Sequence, residues 1–301
     1  MVLCVVSHDA GGAELLASYV VRHSISCEFV LGGPALIVFE RRVGNISPIT
    51  LETALADCDE FLTSSSWSSD LELEAIAAAK AIGKPTTSYL DHWGHYRERF
   101  TRDGVEYLPD TLWVGDPIAE NLARKTFPTT PVQLVLNPYF EDIQEALPKI
   151  ESSPTLSAAD GLRVLYVCEP ISEHGLKEYG DEFYWGFNEF DALRYFFENR
   201  AALGQPVFSL VIRPHPSEAS DKYDQIASEF GKITRIGGKK SLLQEIVDSD
   251  VVVGCESMAM VVGLTAGRRV ITSIPPGARY PCSLPMHEIE SLQNLVTEAS
   301  Y

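Results

Sequence analysis

The sequence predicts two α/β domains, each an open, doubly wound parallel sheet of Rossmann-like form, facing one another across a ligand cleft. Three observations carry this. Short β-rich apolar runs alternate with segments of helical period along the chain, the pattern of βαβ units. The alternation breaks once, over residues 139–161, where prolines and serines crowd together without a period. The 301 residues, 45% hydrophobic and 22% charged, supply enough apolar material for two cores of ordinary size. The expected division is residues 1–138, a connection over 139–161, and residues 162–301.

In the first domain the run Val2–Ser7 reads as a strand. The loop His8-Asp9-Ala10-Gly11-Gly12 and a helix from Ala13 to His23 follow it. Cys27–Leu31 is a second strand ended by Gly32-Gly33-Pro34, residues 35–42 a short helix and Ile46–Ile49 a short strand. Glu60–Ser64 is the next strand. Ser69 and Glu72 then stand at capping-box spacing before a helix whose apolar face is Leu71, Ala75, Ala78, Ala79 and Ile82, with Gly83 and Pro85 ending it. Thr86–Leu90 and Thr111–Val114 are strands, Ile118–Thr126 a helix, and Val132–Leu136 closes the domain.

The second domain restarts with the strand Arg163–Cys168, followed by a long aromatic helix over Asn188–Leu203. Strands are expected at Val207–Ile212, Ile233–Ile236, Val251–Val253 and Val270–Thr272, and helices over 222–230, 241–248 and 257–266.

Composition narrows the function. Lys and Arg number 24 against 42 Asp and Glu, a net charge of −18 with no basic stripe, which argues against nucleic acid as a partner. No apolar run reaches the roughly 18 residues of a membrane-spanning helix. The six cysteines, at 4, 27, 58, 168, 255 and 282, form no CxxC pair and read as buried thiols in a reducing compartment. The chain enters an apolar strand at Val2 with no basic leader, and a cytoplasmic location is expected.

Ligands of open α/β sheets bind beyond the carboxyl ends of the strands, and that rule selects four loops. In the first, Gly11 and Gly12 allow close backbone approach, a helix start offers N–H groups to an anion, and His8 or Asp9 can take a proton from a hydroxyl, with Glu14 nearby. The second is Arg213-Pro214-His215-Pro216-Ser217-Glu218, where two prolines hold an imidazole and a guanidinium suited to phosphate. The third, Gly254-Cys255-Glu256-Ser257, places a serine at a helix start for phosphate and a carboxylate for sugar hydroxyls. The fourth, Asp91-His92-Trp93-Gly94-His95-Tyr96-Arg97, is dense in aromatic and basic groups fit for acceptor or sugar, as is Ser65 after its own strand. His92 and His95 lack further partners at metal spacing, so no metal is expected. No GxGxxG, Walker or GxSxG pattern occurs, which argues against dinucleotide, NTPase and serine-hydrolase chemistry.

The succession Arg213-Pro214-His215-Pro216, then a strand, a serine-bearing helix start, and residues 263–277 (GLTAGRRVITSIPPG) resembles the C-terminal domain of GT-B glycosyltransferases. The likeness extends to bacterial sialyltransferases, Kdo transferases and CDP-glycerol glycerophosphotransferases, with UDP-GlcNAc 2-epimerases sharing the architecture. It implies a donor phosphate held by His215-Pro216 and by the motif at Glu256-Ser257, where a second Ser or Thr is missing. Asp9-Ala10-Gly11-Gly12 looks like the acceptor-side loop, with Ala10 where sialyltransferases carry another acidic residue. The expectation is a metal-independent glycosyltransferase without cofactor, taking a nucleotide-activated donor, CMP- or CDP-linked, and a sugar or glycan acceptor in surface polysaccharide biosynthesis. A nucleotide-sugar 2-epimerase or hydrolase, and a catalytically silent nucleotide-sugar-binding protein, are the alternatives.

Overall fold

The computed structural model describes residues 1–66, 69–152 and 161–299. Its contacts divide the chain into two compact units, Met1–Asp142 and Ile143–Tyr301, each built on a six-stranded sheet.

Unit 1 runs β1 (Leu3–Ser7), α1 (Ala10–His23), β2 (Cys27–Leu31), α2 (Ala35–Val43), α3 (Leu51–Asp57), β3 (Glu60–Thr63), α4 (Leu71–Ala81), β4 (Thr86–Leu90) and α5 (Tyr96–Arg99). A two-stranded ribbon, β5 (Thr101–Arg102) and β6 (Val105–Glu106), comes next, then β7 (Thr111–Val114), α6 (Pro117–Thr126), β8 (Val132–Leu134) and α7 (Pro138–Ala146). The main sheet is all parallel in the order β2-β1-β3-β4-β7-β8. Parallel strands are covered on both faces and so read as continuous apolar runs. Side chains alternate between faces. Val5 packs with Leu15, Leu16, Phe29 and Phe39, while Cys4 and Val6 pack with Ala54, Phe61, Ala75 and Ala79 on the other side.

Unit 2 runs β9 (Leu162–Val167), α8 (Ile171–Tyr179), α9 (Glu189–Asn199), β10 (Val207–Arg213), α10 (Asp224–Phe230), β11 (Thr234–Ile236) and α11 (Leu242–Val247). It continues with β12 (Val251–Gly254), α12 (Met258–Thr265), β13 (Arg269–Thr272), β14 (Ile289–Ser291) and α13 (Leu292–Ala299). Its sheet, also parallel, has the order β11-β10-β9-β12-β13-β14. Val164, Tyr166, Leu210, Ile212, Val251 and Val253 form its core with Leu193 and Phe196 of α9 and Tyr223 and Ile226 beside α10.

Several expectations are corrected. Ile46–Ile49 is not a strand, although Ile49 N–H still donates to the Phe29 carbonyl at 2.8 Å. The first helix begins at Ala10, so Gly11 and Gly12 lie inside its first turn. The capping box at Ser69 and Glu72 does not form: the residue at the helix start is Asp70, and Glu72 turns inward to tertiary partners. Helices α3 and α8, and the final β14–α13 pair, were not anticipated. The break between units falls within α7, inside the expected connection, of which residues 153–160 lie outside the described residues. Among the described residues no helix is long and apolar enough to cross a membrane. All six cysteines are free thiols, four of them buried.

Candidate functional site

In each sheet the chain winds one way from its first strand and then returns to the other side. The switch point lies between β1 and β3 in unit 1 and between β9 and β12 in unit 2. Crevices open there because the connections depart in opposite directions.

At the first switch point the carboxyl ends of β1, β3 and β4 gather hydroxyls and carboxyls. Ser7 Oγ and Ser64 Oγ are 2.8 Å apart. Ser64 Oγ donates to Glu72 Oε1 at 2.9 Å, and the His8 N–H donates to the same oxygen at 2.8 Å. His8 Nδ1 lies 2.9 Å from Asp9 Oδ1, both side chains about a quarter exposed. The imidazole is seated on Gly32-Gly33: a Cβ at Gly33 would come within 2.6 Å of its ring, and Gly33 has a left-handed φ of 45° that suits glycine. Asp91, after β4, accepts from Ser65 Oγ at 3.1 Å and faces Arg99 Nη1 at 3.5 Å. Burial pushes the Asp91 carboxyl up, against the pull of the Arg99 charge and the Ser65 hydroxyl.

The glycines of α1 serve packing. A Cβ at Gly12 would stand 2.4 Å from Ser64 Cβ, and one at Gly11 would stand 3.1 Å from Asp91 Oδ2. Their absence lets the first turn of α1 lie directly on the loops that follow β3 and β4.

The structure thus brings His8, Asp9, Gly11, Gly12, Ser65 and Asp91 together. Other expected residues have partners elsewhere. Glu14 gives both carboxylate oxygens to Arg41 and Arg42 of α2, so it ties two helices. Trp93 is buried and donates from Nε1 to Asp116 Oδ2 at 2.7 Å. Arg97 pairs with Glu106 and donates to the Thr126 carbonyl at 2.8 Å. His92 Nδ1 accepts the Gly94 N–H at 3.2 Å, and His95 holds a left-handed φ of 56° before α5. Among the described residues no group of three or more His, Cys, Asp or Glu side chains is placed to hold a metal ion.

At the second switch point Glu169, just after β9, reaches across to the loop after β12. Its Oε1 accepts the N–H groups of Cys255 at 3.1 Å and Glu256 at 2.9 Å. Burial, then the neighbouring Glu256 charge, pushes the Glu169 carboxyl up to about 8, while these N–H groups oppose the shift. Glu256 Oε2 accepts from the Ser283 N–H at 3.1 Å. Ser257 caps α12, its Oγ accepting the Ala259 N–H at 3.2 Å. Gly254 permits close strand contact, since a Cβ there would lie 2.8 Å from Val167 Cγ2.

On the other side of β9, the loop after β10 carries His215. Its Nδ1 accepts the Ser217 N–H at 3.2 Å and lies 2.7 Å from Ser217 Oγ, which leaves Nε2 to carry the proton of the neutral ring. The loop is braced from below by Glu218, whose side chain is fully buried. Glu218 Oε2 accepts the His215 N–H at 2.7 Å, and its Oε1 takes Lys222 Nζ and the Tyr223 hydroxyl, each at 2.8 Å. Lys222 also reaches Glu189 at 2.6 Å and Glu173 at 2.9 Å. Pro216 is exposed beside it. Arg213 is turned aside: Nη1 donates to Glu245 Oε2 at 2.6 Å and to the Lys240 carbonyl at 3.1 Å, fixing the loop after β11. His215, Glu169 and Ser257 therefore stand on three loops at the carboxyl edge of one sheet, with β9 between the strands of the outer two.

Sequence reasoning took Glu72 for a helix cap and did not single out Glu218 or Lys222. The available signal was position: each is an acidic or basic residue within ten positions of a strand end, in a segment otherwise explained by packing.

No family model matches the chain, and no curated protein matches it. Solved structures do. A UDP-GlcNAc 2-epimerase from Methanocaldococcus jannaschii matches with a TM-score of 0.62 at 10% identity, over 100% of this chain and 92% of that one. The enzyme of the same name from Neisseria meningitidis, bound to UDP-GlcNAc, matches with a TM-score of 0.63 at 12% identity, over 100% and 91%. The glycosyltransferase of kitacinnamycin matches with a TM-score of 0.55 at 14% identity, over 99% and 84%. The fold is GT-B-like. Both six-stranded parallel sheets, with their flanking helices, belong to that two-domain α/β plan.

Proposed function

We propose that this protein is a glycosyltransferase that takes a nucleotide-activated sugar donor on unit 2 and a sugar or glycan acceptor on unit 1, in cytoplasmic steps of surface glycan biosynthesis. The observation that carries the reading is the carboxyl edge of the second sheet. There an imidazole whose Nδ1 accepts a backbone N–H, a serine at a helix start and inward-facing loop amides lie on loops that follow the strands flanking a switch point. Such groups suit the phosphate of a nucleotide and the charge that develops on it as the sugar departs. His215 would donate from Nε2, and the amides at Glu256 and Ser257 would meet the phosphate from the facing loop. No cofactor is part of this reading, and the leaving charge is met by these groups rather than by a metal. His8 and Asp9 are the pair that would take the acceptor proton, with Ser65 and Asp91 beside them.

The CMP- or CDP-linked donor is the first choice because of the His215-Pro216 element, and UDP-linked donors enter through the fold neighbours. A thermal-shift panel of CMP, CDP, UDP, GDP and dTDP decides between them. A nucleotide at 100 times its dissociation constant adds about 2.7 kcal/mol of stability. His215→Ala is expected to weaken that nucleotide by about 1.5–3 kcal/mol, the worth of a hydrogen bond to a charged group. A panel with no responder, or an unchanged affinity in the variant, overturns the donor assignment.

A nucleotide-sugar epimerase or hydrolase is a second reading. It is favoured by the two epimerases among the fold neighbours and by the carboxyl groups of Asp9, Glu72 and Asp91 at one switch point. Turnover of donor alone, without acceptor, selects it. Nucleotide binding with no turnover under any condition selects a silent binding protein.

A further inference from the structure

Glu72 is a carboxyl group of the first switch point to which the proposed glycosyl transfer gives no role, and its surroundings are unusual. It lies in the first turn of α4 yet is only 2% exposed. One oxygen is heavily engaged: Oε1 receives the His8 N–H and the Ser64 hydroxyl, and Ser64 is in turn 2.8 Å from Ser7 Oγ. The other, Oε2, is buried with no hydrogen-bond partner among the described residues. A full negative charge with an unpaired buried oxygen is far more costly than a neutral carboxyl in the same place. The groups around it act the same way. From the loop after β1 it faces Asp9, a like charge that disfavours its ionisation, with His8 alongside. Among the described residues of the loop after β3 it meets the Ser64 hydroxyl, and the loop after β2 supplies Gly32 and Gly33, on which the His8 ring rests. Asp91 beyond Asp9 is faced by Arg99, and Asp70 of its own helix is turned to Arg102.

We infer that Glu72 is a positioning residue for the His8–Asp9 pair, and that the proton it carries sets the charge against which that pair works. The carboxyl grips the backbone of His8 directly, so it fixes where the imidazole stands. While protonated it leaves Asp9 as the nearer anion, which keeps the two carboxyls in opposite states, the arrangement by which neighbouring acids divide acid and base roles. Burial pushes Glu72 up to about 7, with the Asp9 charge adding to it, and the His8 amide and Ser64 hydroxyl hold it from going higher. Loss of the Glu72 proton adds a second anion beside Asp9 and places a full charge on the oxygen that receives the His8 N–H.

This rests on the reading of His8 and Asp9 as the proton-handling pair, but its test needs neither donor nor acceptor. The His8 backbone amide resonance is followed by NMR from pH 5 to 9 in the full-length wild type and in Glu72→Gln. The glutamine is the isostere of the neutral acid and keeps an acceptor for the His8 N–H. In the wild type the His8 amide proton should move through a step near pH 7 as its acceptor ionises. In Glu72→Gln the amide step should vanish. Superimposed curves in the two proteins overturn the inference. Ser64→Ala, which removes a donor to the ionised form, provides an independent variant: the amide step should move to higher pH, and a step that stays in place overturns the inference as well. A nucleotide panel without a responder ends the donor reading and leaves this coupling measurable, whereas superimposed titrations end the coupling and leave the donor reading intact.

Discussion

Glu72 and Glu169 each fill a switch-point crevice with a carboxyl group that prefers to be neutral. For Glu169 the consequence falls on binding. Its carboxylate occupies the Cys255 and Glu256 amides, and the second of these is shared with the proposed phosphate site. A phosphate brought there requires Glu169 to be neutral or displaced. Nucleotide affinity is therefore expected to fall as pH rises through about 8, the value to which Glu169 is pushed. The limiting slope for uptake of one proton is about tenfold per pH unit. Glu169→Gln should bind more tightly above that pH and lose the dependence, as titration calorimetry at several pH values will read. A flat wild-type profile contradicts the competition. For Glu72 the consequence falls on stability. Its carboxyl is raised from 4.5 to about 7 in the folded protein, so its contribution is intact below pH 4.5 and is lost as pH rises through 7. That loss amounts to about 3 kcal/mol from burial of the charge. In urea denaturation, Glu72→Gln should gain on the wild type between those values and hold the gain above them, whereas a constant difference would deny the shift.

At the scale of elements, the tightest fit is between α1 and the loop after β3. Gly12 exists because the helix lies against Ser64 with no room for a side chain. Gly12→Ala is expected to cost about 1–3 kcal/mol, the usual cost of forcing a methyl group into a packed contact. It should also move the resonances of His8, because Ser64 and His8 share the Glu72 oxygen. An unchanged melting temperature would contradict the packing account. This contact marks the limit of what the sequence reveals. Gly11-Gly12 was legible as a place of close approach, but whether the approaching group is a ligand or a neighbouring loop is decided in three dimensions. The same holds for Ser69 and Glu72, whose spacing matches a capping box. The local bond was outcompeted by a buried hydroxyl and an amide that are 8 and 64 residues away in sequence. The core strands were readable because two-sided burial leaves an uninterrupted apolar run, as in β1 and β12. Ile46–Ile49 misled because its isoleucines pack over the sheet without joining it; Ile46 and Ile49 serve two different clusters. β14 and α13 escaped notice because their sequence is mostly polar and half-exposed, with only Leu292 fully buried.

Across the whole molecule, the two units repeat one physical scheme. Each is a parallel sheet with a switch point next to its first strand and, at that point, a glutamate whose carboxyl is pushed up by desolvation. The strand positions were legible in the alternation of runs, and the sheets match the GT-B plan of proteins that share 10–14% of their residues with this chain. Fold at that distance is set by apolar pattern and turn chemistry, which many sequences satisfy. Function depends on a few polar side chains, and there the sequence pointed to loops that lie at the two switch points without assigning every residue in them. It found the His215 turn but not the Glu218–Lys222 brace beneath it, because a buried ion cluster has no local signature. Arg213 shows the reverse case. Its type and place suit a phosphate, yet its guanidinium is engaged by Glu245 of α11.

The central claim is that the loops after β10 and β12 close on one phosphate. It is tested most directly by adding the responding nucleotide to isotope-labelled protein and following the backbone amides of His215, Cys255, Glu256 and Ser257. The account predicts that all four shift together along one saturation curve, with His215→Ala moving the curve at Glu256 and Ser257 to roughly 10- to 150-fold higher nucleotide concentration. Shifts confined to other surfaces, or movement at one loop while the other stays still, would contradict it.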